Sequence, residues 1–250
     1  MPRCWGLCIR QVANTWNSVS LYLWNSKIYL RGYEMADKKK TFKPGAVLSP
    51  VPAVMVSCGD GSIKNIITIA WTGIVNSDPP MTYISVRKTR YSHDIIKQSG
   101  EFVINLVNEP LAFAADYCGV KSGRDVDKFK EMNLTAIPGE AVGCPMIAEA
   151  PVNLECKVKQ VYEYPSHDMF IAEIVSMHVS EELVDAKGKI DFAAAGLVAY
   201  VHGEYYGIKK SPLGRFGYSV MKPKTRRRLN KQKHMERVEK NRTGRSAKNK

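Results

Sequence analysis

The sequence predicts a mainly β protein, an antiparallel barrel carrying only short helices. Short apolar, β-branched runs recur along the middle of the chain between clusters of turn formers, and the helical spacings between them are brief. No strand runs into a Gly-x-Gly-x-x-Gly turn, which argues against a doubly wound dinucleotide-binding sheet.

The 250 residues divide into three parts: a leader over 1–40, a domain over 41–221 and a basic tail over 222–250. The leader holds Trp5, Trp16 and Trp24 among apolar residues without a clean period, and no apolar run long enough for a signal segment or a membrane span. Met35-Ala36-Asp37-Lys38-Lys39-Lys40 reads as an ordinary cytoplasmic N-terminus. The leader is therefore expected to be disordered or to lie upstream of a true start at Met35; an interfacial aromatic anchor is the alternative.

The domain opens with the compact strand Ala53–Cys58, and Gly59-Asp60-Gly61-Ser62 is the hairpin turn that follows. Two apolar runs come next, Ile66–Val75 and Met81–Val86, separated by Asn76-Ser77-Asp78-Pro79-Pro80. That separator marks two strands with a connection. A helix is expected over Asp94–Ser99, closed by Gly100, and a strand over Phe102–Val107. Helical spacing recurs over Leu111–Cys118 and Asp125–Met132. Beyond the Pro138-Gly139 turn, residues 152–162 alternate with Val152, Leu154, Cys156 and Val158 on one face. Met169–Val179 follows, with Ile171, Ile174, Val175 and Met177 as inward candidates, and Leu183–Lys189 forms a hairpin-like approach to Phe192.

The net charge of +13 is unevenly placed. The tail carries 13 Lys/Arg against 2 Asp/Glu, whereas residues 35–221 carry 20 against 21. The body is nearly neutral, so the whole-chain charge says nothing about its ligand. The tail is too poor in apolar residues to bury a core and reads as a solvated, disordered or loosely helical extension. An RNA- or polyanion-binding role is the competing reading, but residues 222–250 contain no aromatic for base stacking, so nucleic acid is not the expected partner. Six cysteines (Cys4, Cys8, Cys58, Cys118, Cys144, Cys156) show neither a CxxC pair nor metal spacing, which suits a reducing cytoplasm and gives no metal site. Cys118 reads as a core residue and His93 as the start of the helix.

The exit of the second apolar run is the chemically suggestive stretch. Arg87-Lys88-Thr89-Arg90-Tyr91-Ser92 places three cations and three hydroxyls just before a helix N-terminus. Guanidinium forks, an ammonium and free helix N–H groups suit a phosphate. The same residue types also fit a solvated strand end.

Read as a whole, Asn65-x-x-Thr68-x-Ala70-Trp71-Thr72, the Asp78-Pro79-Pro80 turn and the Ser85-Val86-Arg87-Lys88-x-Arg90-x-Ser92 exit resemble the flavin reductase-like family, flavoredoxins in particular. The resemblance continues through Gly100–Leu106, Cys118–Phe129 and Gly203-Glu204-Tyr205-Tyr206, covering roughly 44–221. It implies an FMN-binding split β-barrel, antiparallel and Greek-key-like, that forms a homodimer with FMN at the interface. It implies that Asn65, Trp71 and Thr72 contact FMN and that Ser85–Ser92 holds ribityl and phosphate. Arg87, Lys88, Thr89, Arg90 and Ser92 are the phosphate candidates, with Ser85 and Val86 along the ribityl chain. Asn65, Thr68 and Thr72, with the backbone of Ala70 and Trp71, are the ring-edge candidates. Thr68 and Thr72 also fit plain strand propensity, and Trp71 a core or interface aromatic.

His167, in Tyr164-Pro165-Ser166-His167-Asp168, resembles a segment that lies near the nicotinamide in reductases; His202, beside Gly203, is a second pocket candidate. The Lys121–Lys128 segment is a weaker candidate for approaching the flavin. Ala70-Trp71-Thr72 in place of an Ala-Asn-Ser-like sequence points to the flavoredoxin branch. The expected activity is oxidoreduction, with electrons taken from NAD(P)H or a protein donor onto FMN and passed to an acceptor. The alternatives are a non-enzymatic FMN electron carrier and a polyanion-associated protein acting through its tail.

Overall fold

In the computed structural model, residues 38–235 are described apart from 61, 210, 230 and 232–234. The leader through residue 37, the Met35 start and the last fifteen residues of the tail lie outside them. Residues 38–47 contain no helix or strand; the compact fold lies within the unit from Leu48 onward.

Seven strands make one antiparallel sheet: β2 (Val54–Gly59), β3 (Lys64–Ile69), β4 (Thr72–Ser77), β5 (Pro80–Arg87), β6 (Glu101–Leu106), β9 (Val152–Glu163) and β10 (His167–Val179). Their order is β3-β2-β6-β9-β10-β5-β4. β3 and β4 are thus the two edges, yet only Ala70 and Trp71 separate them in the chain. Two residues span at most about 7 Å, so the sheet must roll until its edges meet. It does: β3 comes against β5, and Ser85 N donates to Trp71 O at 3.0 Å, one step beyond the last β4–β5 pair. The apolar run Ile66–Val75, read as one strand, is therefore two, broken at Ala70-Trp71. A smaller sheet of β1 (Val51–Pro52), β11 (Val198–Val201) and β12 (Glu204–Gly207), and the short pair β7 (Ala136–Ile137) and β8 (Met146–Ile147), complete the strands.

Three helices are α1 (Tyr91–Ser99), α2 (Ala112–Val120) and α3 (Lys128–Glu131). Gly100 ends α1 at φ +67°, the left-handed conformation glycine adopts without penalty. The Asp127 carboxylate caps α3 by accepting from Phe129 N and Lys130 N. In the turn after β2, Asp60 Oδ1 accepts from Ser62 N and Ile63 N, and Gly59 sits at φ +131°, where a Cβ would meet Ile63 O. Residues 223–229 of the tail are helical.

β2 is buried on both faces, which is why it reads as a continuous apolar run. Val54, Val56 and Cys58 join Ile84, Val86, Ile96, Phe102 and Phe170 inside the barrel. Met55 joins Ile66, Ala115, Cys118 and Phe129 in a second core beneath α2 and α3. β10 corrects the inward set expected from sequence. Asp168, Phe170 and Ala172 are buried, whereas Met177 is half-exposed. The inward face alternates through 168, 170 and 172 to Ile174, which packs on the barrel core as expected, and the extra β10 residue Val175 between Ile174 and Ser176 breaks that alternation beyond it.

Two buried polar groups lock loops to the sheet. Asn105 donates to Met55 O and Ser57 Oγ (both 2.9 Å) and accepts from Asn153 Nδ2 at 2.7 Å. Glu155, fully buried, accepts from Glu140 N, Ala141 N and Val142 N and lies 2.6 Å from His178 Nε2. Burial alone would raise the Glu155 pKa, but His178 and the three amides outweigh it and hold the carboxyl below its ordinary 4.5. A carboxyl with a depressed native pKa stabilises the fold above about pH 4.5, and that contribution fades as pH falls through the native value. We predict that Glu155→Gln lowers stability at pH 7 and flattens the acid limb of denaturant-derived stability against pH. Parallel acid limbs for variant and parent contradict this. Phe170→Ala is expected to cost about 3–5 kcal/mol in the same unfolding titration.

Candidate functional site

The seam left by rolling the sheet is where the cavities lie. Thr72–Ile84 is the last β4–β5 pair, so Ser85–Arg87 have β10 on one side and no strand on the other. A cavity of about 320 Å³ opens there. Its walls are Ile67–Trp71 from β3 and the bend, Ser85–Arg87 from β5, and the side chains of Arg90, His167 and Tyr200. Trp71, 44% exposed, stacks on His167 with ring centroids 4.7 Å apart.

A second cavity, about 260 Å³, shares Ile67 and Arg90 with the first. The turn Thr89–Ser92 forms one side, and Gly119 near the end of α2 with the following loop Lys121–Arg124 most of the other. Arg90, Lys121, Arg124 and Lys128 line it, and among the described residues no carboxylate does. Its floor is built closely. Asn65 Nδ2 donates to Ser92 Oγ at 2.7 Å, and a Cβ on Gly123 would stand 2.1 Å from Asn65 Oδ1. Arg124 closes the rim by lying 5.1 Å from the Tyr91 ring centroid and donating to Thr89 O at 3.4 Å. Lys128, 4% exposed, donates to Ile66 O (2.6 Å) and Cys118 O (2.7 Å). Burial, with Arg90 adding a little, draws its pKa below the usual lysine value against the opposing pull of Cys118 and Cys58.

Residues 47–209 match the flavin reductase like domain. The chain belongs to that family. Flavin reductase-like relatives of known structure include the flavoredoxin of Desulfovibrio vulgaris (Miyazaki F), 31% identical with a TM-score of 0.67, covering 72% of this chain and 99% of that one. The flavoredoxin of Methanosarcina acetivorans is 28% identical with a TM-score of 0.66, covering 73% and 100%. An uncharacterized protein of Pyrococcus abyssi is 29% identical over 136 residues, 54% of this chain and 78% of its own length. The split barrel expected from the sequence is the fold observed.

Within this flavin reductase-like site, Thr68, Ala70, Trp71, Ser85, Val86 and Arg87 line the first cavity, Asn65, Thr89 and Ser92 the second, and Arg90 both. Val86 turns its side chain into the core and presents main chain. Thr68 Oγ1 donates to Ala115 O, tying β3 to α2. Three candidates do not reach either cavity. Thr72, on β4, donates to Tyr83 O at 2.6 Å. Lys88 places Nζ 3.2 Å from the buried Asp168 Oδ1. His202 sits at φ +48° in the exposed β11–β12 turn. Of the two histidine candidates, only His167 stands at a cavity; partial burial, then the Arg87 charge, lowers its pKa and favours neutral imidazole at pH 7. Burial raises the Cys118 thiol to about 11, which fits a core residue rather than a nucleophile.

The residues least expected are those of the Gly119–Arg124 loop, together with Tyr91 and Tyr200. The signal was the Lys121-Ser122-Gly123-Arg124 cluster, which cations and a glycine mark as an anion-facing turn. Gly123→Ala is predicted to destabilise the fold by about 1–3 kcal/mol, because the added methyl displaces the Asn65 amide. Gly119→Ala, whose Cβ would stand 3.3 Å from Thr68 Cβ, should cost less. Equal melting temperatures for parent and Gly123→Ala would contradict this.

Proposed function

We propose that the chain binds FMN, with the isoalloxazine ring in the Trp71–His167 cavity and the phosphate in the cationic cavity beyond Arg90. One observation carries the reading: two adjoining cavities of complementary chemistry meet at one arginine. The first offers apolar walls, an aromatic stack and the β5 main chain of Ser85–Arg87, whose groups suit a polar ring edge. The second offers four cations without a carboxylate. The N-cap residue of α1, Arg90, makes no side-chain capping bond, so the first-turn N–H groups there suit an anion. The residues present fit FMN. The flavoredoxin names of the two structural relatives support the same cofactor.

Bound FMN supplies the hydride- and electron-accepting chemistry. The protein's part is position and electrostatics. Arg87 and Arg90 attract and orient the phosphorylated chain, Asn65 and Ser92 fix the floor, and Trp71 with neutral His167 shields one side of the ring pocket from water. The activity we infer is oxidoreduction, from NAD(P)H or a protein donor through FMN to an acceptor. A non-enzymatic carrier in the manner of flavoredoxin is the second reading, favoured by Ala70-Trp71-Thr72. We further propose a homodimer; Trp71, Ile74 and Val75, exposed at the β4 edge, are the surface that supports it. Cys58, Cys118, Cys144 and Cys156 are free and buried, in keeping with a cytoplasmic setting. No helix among the described residues is long and apolar enough to cross a membrane.

Purified protein titrated with FMN should turn yellow with saturable quenching of flavin fluorescence. Arg87→Ala together with Arg90→Ala should weaken FMN by about 100-fold or more, since each of the two charge-assisted contacts contributes roughly 1.5–3 kcal/mol. Unchanged affinity overturns the phosphate placement. Steady NAD(P)H oxidation by the FMN-loaded protein supports the enzyme, and bound FMN without turnover in a donor and acceptor screen supports the carrier.

A further inference from the structure

The interior of a small barrel is normally filled by apolar side chains, but the end beneath α1 is not. Along β10 the inward positions begin Asp168, Phe170, Ala172, and the first is a fully buried carboxylate. His93 of α1 faces it from the helix, 5% exposed. Its Nε2 lies 2.9 Å from Asp168 Oδ2, its Nδ1 lies 2.8 Å from Asp94 Oδ1, and its ring stands edge-on to Phe170. Lys88 Nζ approaches Asp168 Oδ1 at 3.2 Å without an aligned hydrogen bond, and Lys97 Nζ stands 3.7 Å from Oδ2. Lys88 and Lys97 remain about half exposed, but burying the Asp168 carboxylate against His93 costs desolvation that apolar side chains of equal volume would not, so stability is a poor reason for placing the pair there.

What the pair supplies is direction. α1 has two buried polar attachments to the barrel wall, Ser92 to Asn65 on β3 and His93 to Asp168 on β10. Both follow directly on the turn of Arg87–Arg90, which carries cations to both cavities. Asp168 is also the neighbour of His167 at the first cavity, and its contact turns Lys88 away from the second. Neither His93 nor Asp168 lines either cavity.

We propose that His93 and Asp168 form a positioning pair that sets the Arg87–Ser92 turn over the cationic cavity. The pair governs affinity for the phosphorylated end of a flavin without touching it. This rests on the FMN reading and assigns to it two residues outside the binding surface.

Riboflavin, which lacks the phosphate, separates positioning from general packing. The test measures FMN and riboflavin affinities by fluorescence quenching, alongside melting temperature, for the parent, His93→Gln, His93→Asn and Asp168→Asn. Gln can return an amide nitrogen to the place of Nε2, whereas Asn reaches only the place of Nδ1. His93→Asn should weaken FMN about tenfold and riboflavin less than about twofold, and His93→Gln should stay within about threefold of the parent for both. Asp168→Asn keeps an acceptor of the same shape, and its loss should again fall on FMN rather than riboflavin. It carries the comparison if His93→Asn does not fold. Equal weakening of both ligands, or unchanged FMN affinity in both His93→Asn and Asp168→Asn, overturns the positioning pair and leaves FMN binding standing. A parent protein that binds neither ligand overturns the FMN reading and the pair with it.

Discussion

Two residues, Ala70 and Trp71, join the opposite edges of a seven-stranded sheet, and the architecture follows from that short tether. A sheet whose first and last strands are consecutive in the chain cannot remain open. It curls until β3 and β5 face each other, and because β4 pairs with β5 only as far as Ile84, the closure leaves a gap beside Ser85–Arg87. Ser85 N–H is taken up by Trp71 O, but Arg87 beyond it has no strand partner along that gap, next to the exposed Trp71 ring. The constraint that closes the core thus also opens the site.

Electrostatics then divide the gap. The domain is almost neutral as a whole, but its cations are not spread evenly: Arg90, Lys121, Arg124 and Lys128 converge on a cavity with no carboxylate in its wall. Carboxylates are nearby but committed elsewhere. Asp168 is engaged by His93 and Lys88, Asp127 caps α3, and Glu163 pairs with Lys97. Local pairing, and not net charge, is what leaves a positive field at one end of a flavin reductase-like site.

Much of this was legible in the sequence, and for identifiable reasons. The Asn76–Pro80 turn, the Gly59–Ser62 turn and the Gly100 helix stop each rest on local backbone preferences. The Arg87–Ser92 cluster could be singled out in the sequence because its cations and hydroxyls are contiguous. The break at Ala70-Trp71 was hidden, since neither residue is a turn former and the apolar run continues through it. The Lys88 contact was hidden because its partner, Asp168, is eighty residues away on a strand whose inward face runs through 168, 170 and 172 rather than through Ile171. The Lys121–Lys128 segment was a minor candidate because the closeness of Gly123 to Asn65 is a tertiary fact, recorded in sequence only by the absence of a Cβ at Gly123.

The central claim is that one ligand spans both cavities through Arg90, ring at the seam and phosphate beyond it. A crystal structure of the FMN-soaked protein tests this directly. The account predicts the isoalloxazine beside Trp71 and the Ser85–Arg87 main chain, with phosphate oxygens among Arg90, Ser92 and the Gly119–Arg124 loop. A phosphate lying outside that loop, or a ring bound away from the β3–β5 gap, would contradict it.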